Sequence, residues 1–317
     1  MVAQQHLGNN MEDSSEARIQ LKRRFAAFLE EDYPPLPSED EQFTYRNALS
    51  KLFAYNEETG KDEPVSNRLT VHEHHLRQFD ESLLQRILRH PTECIPAFED
   101  AVKEFIRSGS DPTLVKVLGD VDVHVGLQGD FGRHEVSPRE LNSSFLGQLV
   151  CLFGIVTKCS LVRPKLVKSV HYCEATKAYT TMEYRDVTAL TGMPTQSQYP
   201  QKDDSGNKLV TEFGLCKYKN NQTISVQELP ETAPPGQLPH SAEIILEDDL
   251  VDKVKPGDRV SLVGVYRAMA PKMSGQTSGV YRVRVRGGGC AENNMMCAKG
   301  GRGRPRLHSV RKGGTVC

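Results

Sequence analysis

The chain has 317 residues, 38% hydrophobic and 26% charged, with no Trp, which is the make-up of a soluble protein of about two domains. The opening MVAQQHLGNN is polar, no run approaches a membrane span, and eight Cys (94, 151, 159, 173, 216, 290, 297, 317) lack short paired spacing, so the chain reads as a cytosolic or nuclear protein with reduced thiols. The net charge of −1 is uneven: Arg284 to Cys317 carry eight Lys/Arg and one Glu, while residues 1–283 carry 32 basic and 40 acidic side chains.

In chain order, Asp13 and Glu16 can open a helix as a capping box. EARIQLKRRFAAFLEEDY then places Ile19, Leu21, Phe25, Phe28 and Leu29 near one face. PPLPSEDE is a break, a second helix is expected over residues 41–55, and NEETGKDEP is a charged turn. RLTVHEHHL is short and β-like. Its His72, His74 and His75 would split between strand faces, which favours a solvated segment over a metal site. DESLLQRILRH and PTECIPAFEDAVKEFIRSG read as two helices meeting at Pro91, a residue suited to a first helical turn. Ile95, Phe98, Val102, Phe105 and Ile106 form a core stripe.

After about Asp120 the texture becomes β-rich. VDVHVGLQG alternates with period two, and LGQLVCLFGIVTKCS, KLVKSVHYC, KAYTTMEYR, QTISVQEL, SAEIILED, DRVSLVGVYR and GVYRVRVR follow between turn residues. Such runs suggest a small closed or partly open barrel with hairpins. From Gly287 the chain is Gly-rich, basic and aperiodic, and is expected to be disordered.

No P-loop, G-x-S-x-G, H-E-x-x-H or Rossmann glycine string occurs, so no catalytic residue is assigned. In HYCEATKAYTTMEYR, His171 and Cys173 could supply half of a zinc site, but the returning strand offers only Glu183 and Asp186; Cys290 and Cys297 are weaker still. GIVTKCSLVRPK is an apolar strand that turns basic at Lys158, Arg163 and Lys165, with Lys168 close behind. A second basic group is Arg267, Lys272, Arg282, Arg284 and Arg286, the last three alternating on one strand face. Either group could neutralise a nucleic-acid backbone, or be a plain solvated loop or hairpin. GGRGRP at 300–305 is similar to the core of an AT-hook, or is simply a basic tail.

GLQGDFGRHEVSPREL, LVCLFGIVTKCSLVRPKLVKSVHYC, QTISVQELPETAPPGQLPHS and ILEDDLVDKVKPGDRVSLVGVYR together resemble the minichromosome maintenance (MCM) family over about residues 68–281. VTKCSLVRPK…SVHYC followed by TEFGLCKYKNNQTI is similar to its third-subunit branch. The resemblance implies an α+β amino-terminal half: a helical extension at 1–67, a helical subdomain A at 68–119, and an OB-fold β-barrel at 120–286. A metal-free zinc-ribbon-like hairpin is inserted at about 168–190, and a disordered tail occupies 287–317. It implies a nuclear subunit of a hetero-hexameric helicase ring around single- and double-stranded DNA, acting in replication licensing and unwinding. Lys158, Arg163 and Lys165 match the barrel's DNA-gripping region. Arg267, Lys272, Arg282 and Arg284 match the hairpin that enters the channel.

By the same resemblance, QELPETAPPGQLPHS is an inter-tier loop, with Gln227 and Glu228 leading into it and prolines stiffening it. The family motif GQLPRS has His240 in place of Arg here, a titratable group for a fixed cation. Family members bind ATP and Mg²⁺ in an AAA+ domain. This sequence leaves the family pattern near Val283 and lacks a Walker A string, so no cofactor and no hydrolysis are expected of it alone. The alternative function is an assembly module that docks neighbouring subunits without touching DNA, which the acidic body favours.

Overall fold

A computed structural model describes residues 2–34, 43–52, 67–108, 123–184, 200–202, 205–269 and 282–290; side chains are described except at 2–15, 51–52, 269 and 282–290. Helix α1 spans Val2–Glu30, so it begins well before Asp13, where a cap was expected. Leu21, Phe25, Phe28 and Leu29 lie on one stripe and are buried, whereas Ile19 sits two residues off that stripe and is 51% exposed. Two short strands, β1 (Asp32–Tyr33) and β2 (Phe43–Thr44), lead into α2 (Tyr45–Leu52). Strand β3 (Arg68–His72), α3 (Glu73–Phe79), α4 (Glu81–Arg89) and α5 (Pro91–Ser108) complete the helical region. The Asp80 carboxylate caps α4 by accepting from the Ser82 and Leu83 amides at 2.9 and 3.3 Å. Pro91 opens α5 as expected, and the stripe from Ile95 to Ile106 is buried.

Phe25 stacks on Phe98 at 4.3 Å between ring centroids, and Phe28 meets Tyr33, Tyr45 and Phe79. One hydrophobic core therefore joins residues on both sides of position 67, where a domain boundary was expected. The HEHH segment is not a solvated strand. The chain turns from β3 into α3 after His72, which swings His75 into the aromatic cluster at 1% exposure. Its ring stacks on Tyr33 at 4.7 Å, and Nδ1 lies 3.0 Å from the Tyr45 hydroxyl. Burial, helped by His72 and His74, pushes its pKa down to about 4, so the ring is neutral.

Strand β4 (His124–Gln128) runs parallel to β3. The remaining strands are β5 (Glu135–Val136), β6 (Leu149–Cys159), β7 (Arg163–Cys173), β8 (Ala178–Glu183), β9 (Leu209–Thr211), β10 (Lys217–Gln227), β11 (Ser241–Glu247), β12 (Arg259–Met269) and β13 (Arg282–Cys290). They form one nine-stranded sheet ordered β5-β6-β12-β13-β11-β10-β7-β8, with β9 on β7. The path also turns back on itself: Ile155 of β6 pairs with Arg259 of β12 on one edge and with Gln227 of β10 on the other. The tail was expected to be disordered from Gly287, but residues 287–290 continue β13 opposite β12; residues 291–317 lie outside the described residues.

Strand β6 is buried on both faces. Leu149 and Cys151 belong to the helical core, while Val150, Leu152 and Val156 belong to a second core with Ile224, Val226, Ile244 and Leu262. Two-sided burial is why LVCLFG reads as an unbroken apolar run. Gly154 is required where β10 crosses. A Cβ there would stand 2.5 Å from the Gln227 carbonyl oxygen and closer still to Val226 Cγ1.

Ion pairs seal the joint between helices and sheet. Arg68 makes a bidentate pair with Asp249, at 2.9 and 2.7 Å. The His124 ring lies between Glu99 (Nδ1, 3.0 Å) and Asp248 (Nε2, 3.2 Å). Burial opposes the charge on His124, but the Asp248 and Glu99 carboxylates outweigh it and raise the pKa above the ordinary value.

The raised pKa means that the His124 charge stabilises fully below the ordinary histidine pKa of about 6.5 and is lost as pH rises through the folded value. Thermal unfolding should therefore show stability falling as pH climbs above about 6.5, and His124→Gln should flatten that part of the profile. Lys219 and Arg68 are the cations that face this cluster, and both favour the charged form of Asp248. Gly154→Ala should lower the unfolding free energy in denaturant titration by about 1–3 kcal/mol, the usual cost of overpacking.

Candidate nucleic-acid interface

The turn between β6 and β7 is shaped by an irregularity in pairing. Val156 pairs with Val226 but Lys158 pairs with Ser225, so Thr157 is the extra residue of a bulge. The bulge reverses the alternation of β6. Lys158, which would otherwise follow Val150, Leu152 and Val156 inward, faces out, and Cys159 packs against the inner core instead. Ser160 anchors the turn, its amide donating to the Thr223 carbonyl at 2.8 Å and its hydroxyl accepting from the Thr223 amide at 2.9 Å. Leu161, at the tip, is 81% exposed.

Strand β7 holds a second irregularity. Lys165 pairs with Lys219 and Lys168 with Lys217, leaving Val167 as the extra residue, so both lysines stand opposite lysines on one face. Like charges directly opposed destabilise a sheet unless an anion intervenes. Lys165 already has one: its Nζ lies 2.9 Å from Glu247. Lys158, Arg163 and Lys168 are exposed and make no ion pair among the described residues. Lys217 and Lys219 alternate in GLCKYKNN, the same signal that marked the arginines of β13, yet neither was singled out in the sequence.

The second basic group falls on neighbouring ladders. Lys158, Ser225, Glu243, Arg284 and Arg267 are successive register partners across β6, β10, β11, β13 and β12. Arg282 is opposite Met269, and Arg286 lies between Ile245 and Val265. Arg267 is half-buried, and Lys272 lies outside the described residues. The two groups are thus not one continuous patch, because Glu243 and Glu247 of β11 lie between them.

The segment after β10 is closed at its neck. The Glu228 amide donates to the His240 carbonyl at 2.9 Å, and the His240 amide donates to the Glu228 carboxylate at 3.5 Å. Glu228 is buried, and Arg139 Nε reaches both its oxygens at 3.1 Å. The other Arg139 nitrogens donate to Gln237 Oε1 at 2.6 Å and to the Leu238 carbonyl at 3.0 Å. This guanidinium holds the Glu228 carboxyl below its ordinary pKa. Gln227 ends β10 opposite Ser241. His240 contributes its backbone to the neck, and its side chain is exposed. Arg139 was not picked out from the sequence; only the fold brings it to a residue 89 positions away.

The β7–β8 hairpin forms as expected, and among the described residues His171 and Cys173 are joined by no further metal ligands. Both are buried, and the two ring nitrogens of His171 lie 2.7 Å from Ser169 Oγ and 3.0 Å from Thr211 Oγ1. Burial lowers the His171 pKa. Their partners on β8 are Thr180 and Ala178, neither of which is a usual metal ligand. No cluster of three or more His, Cys, Asp or Glu able to hold a metal occurs among the described residues.

Comparison with known proteins gives two family matches: residues 22–129 to the MCM N-terminal domain and residues 136–270 to the MCM OB domain. Among curated proteins, the chain is 46% identical over 272 residues to "DNA replication licensing factor MCM3" of Oryza sativa subsp. indica, covering 86% of this chain and 33% of that protein. It is 46% identical over 247 residues to the protein of the same name from Gallus gallus, covering 78% and 29%. It is 43% identical over 262 residues to "DNA replication licensing factor mcm3" of Schizosaccharomyces pombe, covering 82% and 28%. The chain spans about a third of the length of these relatives.

Arg139→Ala should free the neck of the 228–240 segment, seen as faster hydrogen exchange at the Glu228 and His240 amides. Arg139→Lys should restore little, because a single ammonium nitrogen cannot span the Glu228, Gln237 and Leu238 acceptors as the planar fork does. Unchanged exchange in the alanine variant would mean that the backbone pair alone closes the neck.

Proposed function

The chain belongs to the minichromosome maintenance family, and we propose that it supplies the amino-terminal, DNA-facing tier of one subunit in a hetero-hexameric ring that acts in DNA replication in the nucleus. The observation that carries this reading is the β6–β7 turn. Lys158 and Arg163, without an ion pair among the described residues, flank an exposed Leu161 on the OB domain, and the bulge at Thr157 turns Lys158 outward. Cations that track a backbone beside an apolar tip suit a nucleic-acid strand better than a bare phosphate. The ring of pairings through β6, β12, β13, β11 and β10 supports reading the OB domain as a closed five-stranded barrel. The hydrogen-bonded, neutral His171 supports reading the β7–β8–β9 unit as a ribbon that needs no zinc.

The 228–240 segment, braced by Arg139, is the inter-tier loop in this reading. The 317 residues hold no Walker A string, so they offer no P-loop to cradle the phosphates of ATP.

The test is fluorescence-anisotropy titration of a single-stranded oligonucleotide over a salt series. Binding should weaken as salt rises. Lys158→Ala with Arg163→Ala should lower the affinity at low salt and reduce the slope of log K against log salt by about 1.4, two phosphate contacts' worth. Binding unchanged by this pair, with assembly into the ring intact, would favour the assembly-only reading.

A further inference from the structure

A concave site lies at the far end of β6 from the basic turn. A cleft of about 680 Å³ opens between α3 and α4 on one side and the segments 130–134 and 144–148 on the other. It sits beside Gln148, at the opposite end of the strand from the turn at Lys158, about 30 Å away at strand spacing. Its volume falls in the range of small-molecule sites.

The polar groups converge from both walls. Arg89 comes from the last turn of α4 and Arg133 from the opposite wall, and neither makes an ion pair among the described residues. Arg77 also lines the cleft, but its charge is taken by the buried Glu73 carboxylate. His134 lies between: its Nδ1–H donates to the Leu149 carbonyl at 2.9 Å, which leaves Nε2 as an acceptor. Burial, then the nearby Arg133 and Arg89 charges, lower its pKa and keep the ring neutral. Leu84, Leu88, Phe131 and Phe145 supply apolar lining.

The wall carrying Arg133 is fixed. Gly129 has φ +141°, and a Cβ there would stand 2.7 Å from Glu73 Cβ, so the loop is pressed against α3. The Asp130 carboxylate accepts from the Gly132 amide at 2.8 Å, and Glu135 accepts from the Phe131 amide at 3.1 Å. Two unpaired guanidiniums on facing walls repel one another, and a doubly charged oxyanion offsets that repulsion while taking paired N–H donors. The Asp130 carboxylate at the same cleft disfavours a long polyanion and suits a ligand with one phosphate and hydrogen-bond donors at its other end.

We infer that this cleft binds a phosphate monoester, its phosphate held between Arg89 and Arg133 and its organic part laid against Phe131 and Phe145. The site is separate from the proposed DNA face and does not depend on that reading.

Calorimetric titration of the full chain with adenosine monophosphate, O-phosphotyrosine and inorganic phosphate tests it. Saturable binding of at least one ester, tighter than inorganic phosphate and weakened about tenfold or more by Arg89→Ala and by Arg133→Ala, is the expected result. Both arginines are exposed, so these variants should fold; unchanged circular dichroism checks this. Preference for the nucleotide identifies a nucleotide source, and preference for phosphotyrosine a modified side chain. The inference is overturned if neither ester saturates, if inorganic phosphate binds as tightly as both, or if binding ignores both substitutions.

Discussion

The two-sided burial of β6 is the constraint on which the rest depends. Its odd residues Leu149 and Cys151 close the helical core, and its even residues Val150 and Leu152 close the sheet core. Strand β12 repeats the arrangement, with Val263 and Val265 towards the helices and Leu262 towards the sheet. A polar residue anywhere in this run would open one core or the other. The helical region is therefore not a separate bead on a linker. The Arg68–Asp249 and His124 contacts add direction to a joint that hydrophobic burial already makes.

Charge on the candidate DNA face is partitioned rather than spread. Lys165 is answered by Glu247, and Glu243 lies in register beside Arg284, while Lys158, Arg163 and Lys168 have no ion pair among the described residues. Compensated cations hold the strands in register, and the open ones remain for a partner. Each bulge shifts one lysine, Lys158 in β6 and Lys168 in β7, to the outer face.

The parts legible in the sequence were those written in local periodicity. The stripe from Ile95 to Ile106, the helix start at Pro91 and the β7–β8 hairpin all repeat within a turn or a strand. The HEHH segment was misread because its apolar context, the rings of Tyr33 and Tyr45, comes from remote positions. Ile19 was placed inside because a stripe is judged by composition, while burial depends on a 200° turn from Leu21. Arg139 and the pairing of Lys165 with Lys219 are products of long-range register, to which no window of the sequence points. The family strings carried the rest.

Strand β10 begins at Lys217, among the cations, and ends at Gln227, where the braced loop begins. Both pairing irregularities put their extra residue in a partner strand, Thr157 in β6 and Val167 in β7, so β10 itself runs unbroken. An extended backbone has almost no slack along its axis. The strand thus fixes the separation of its cationic end and the loop at about 35 Å, with neighbouring strands as rails on both sides. Gly154 is the point where the rail grips most closely.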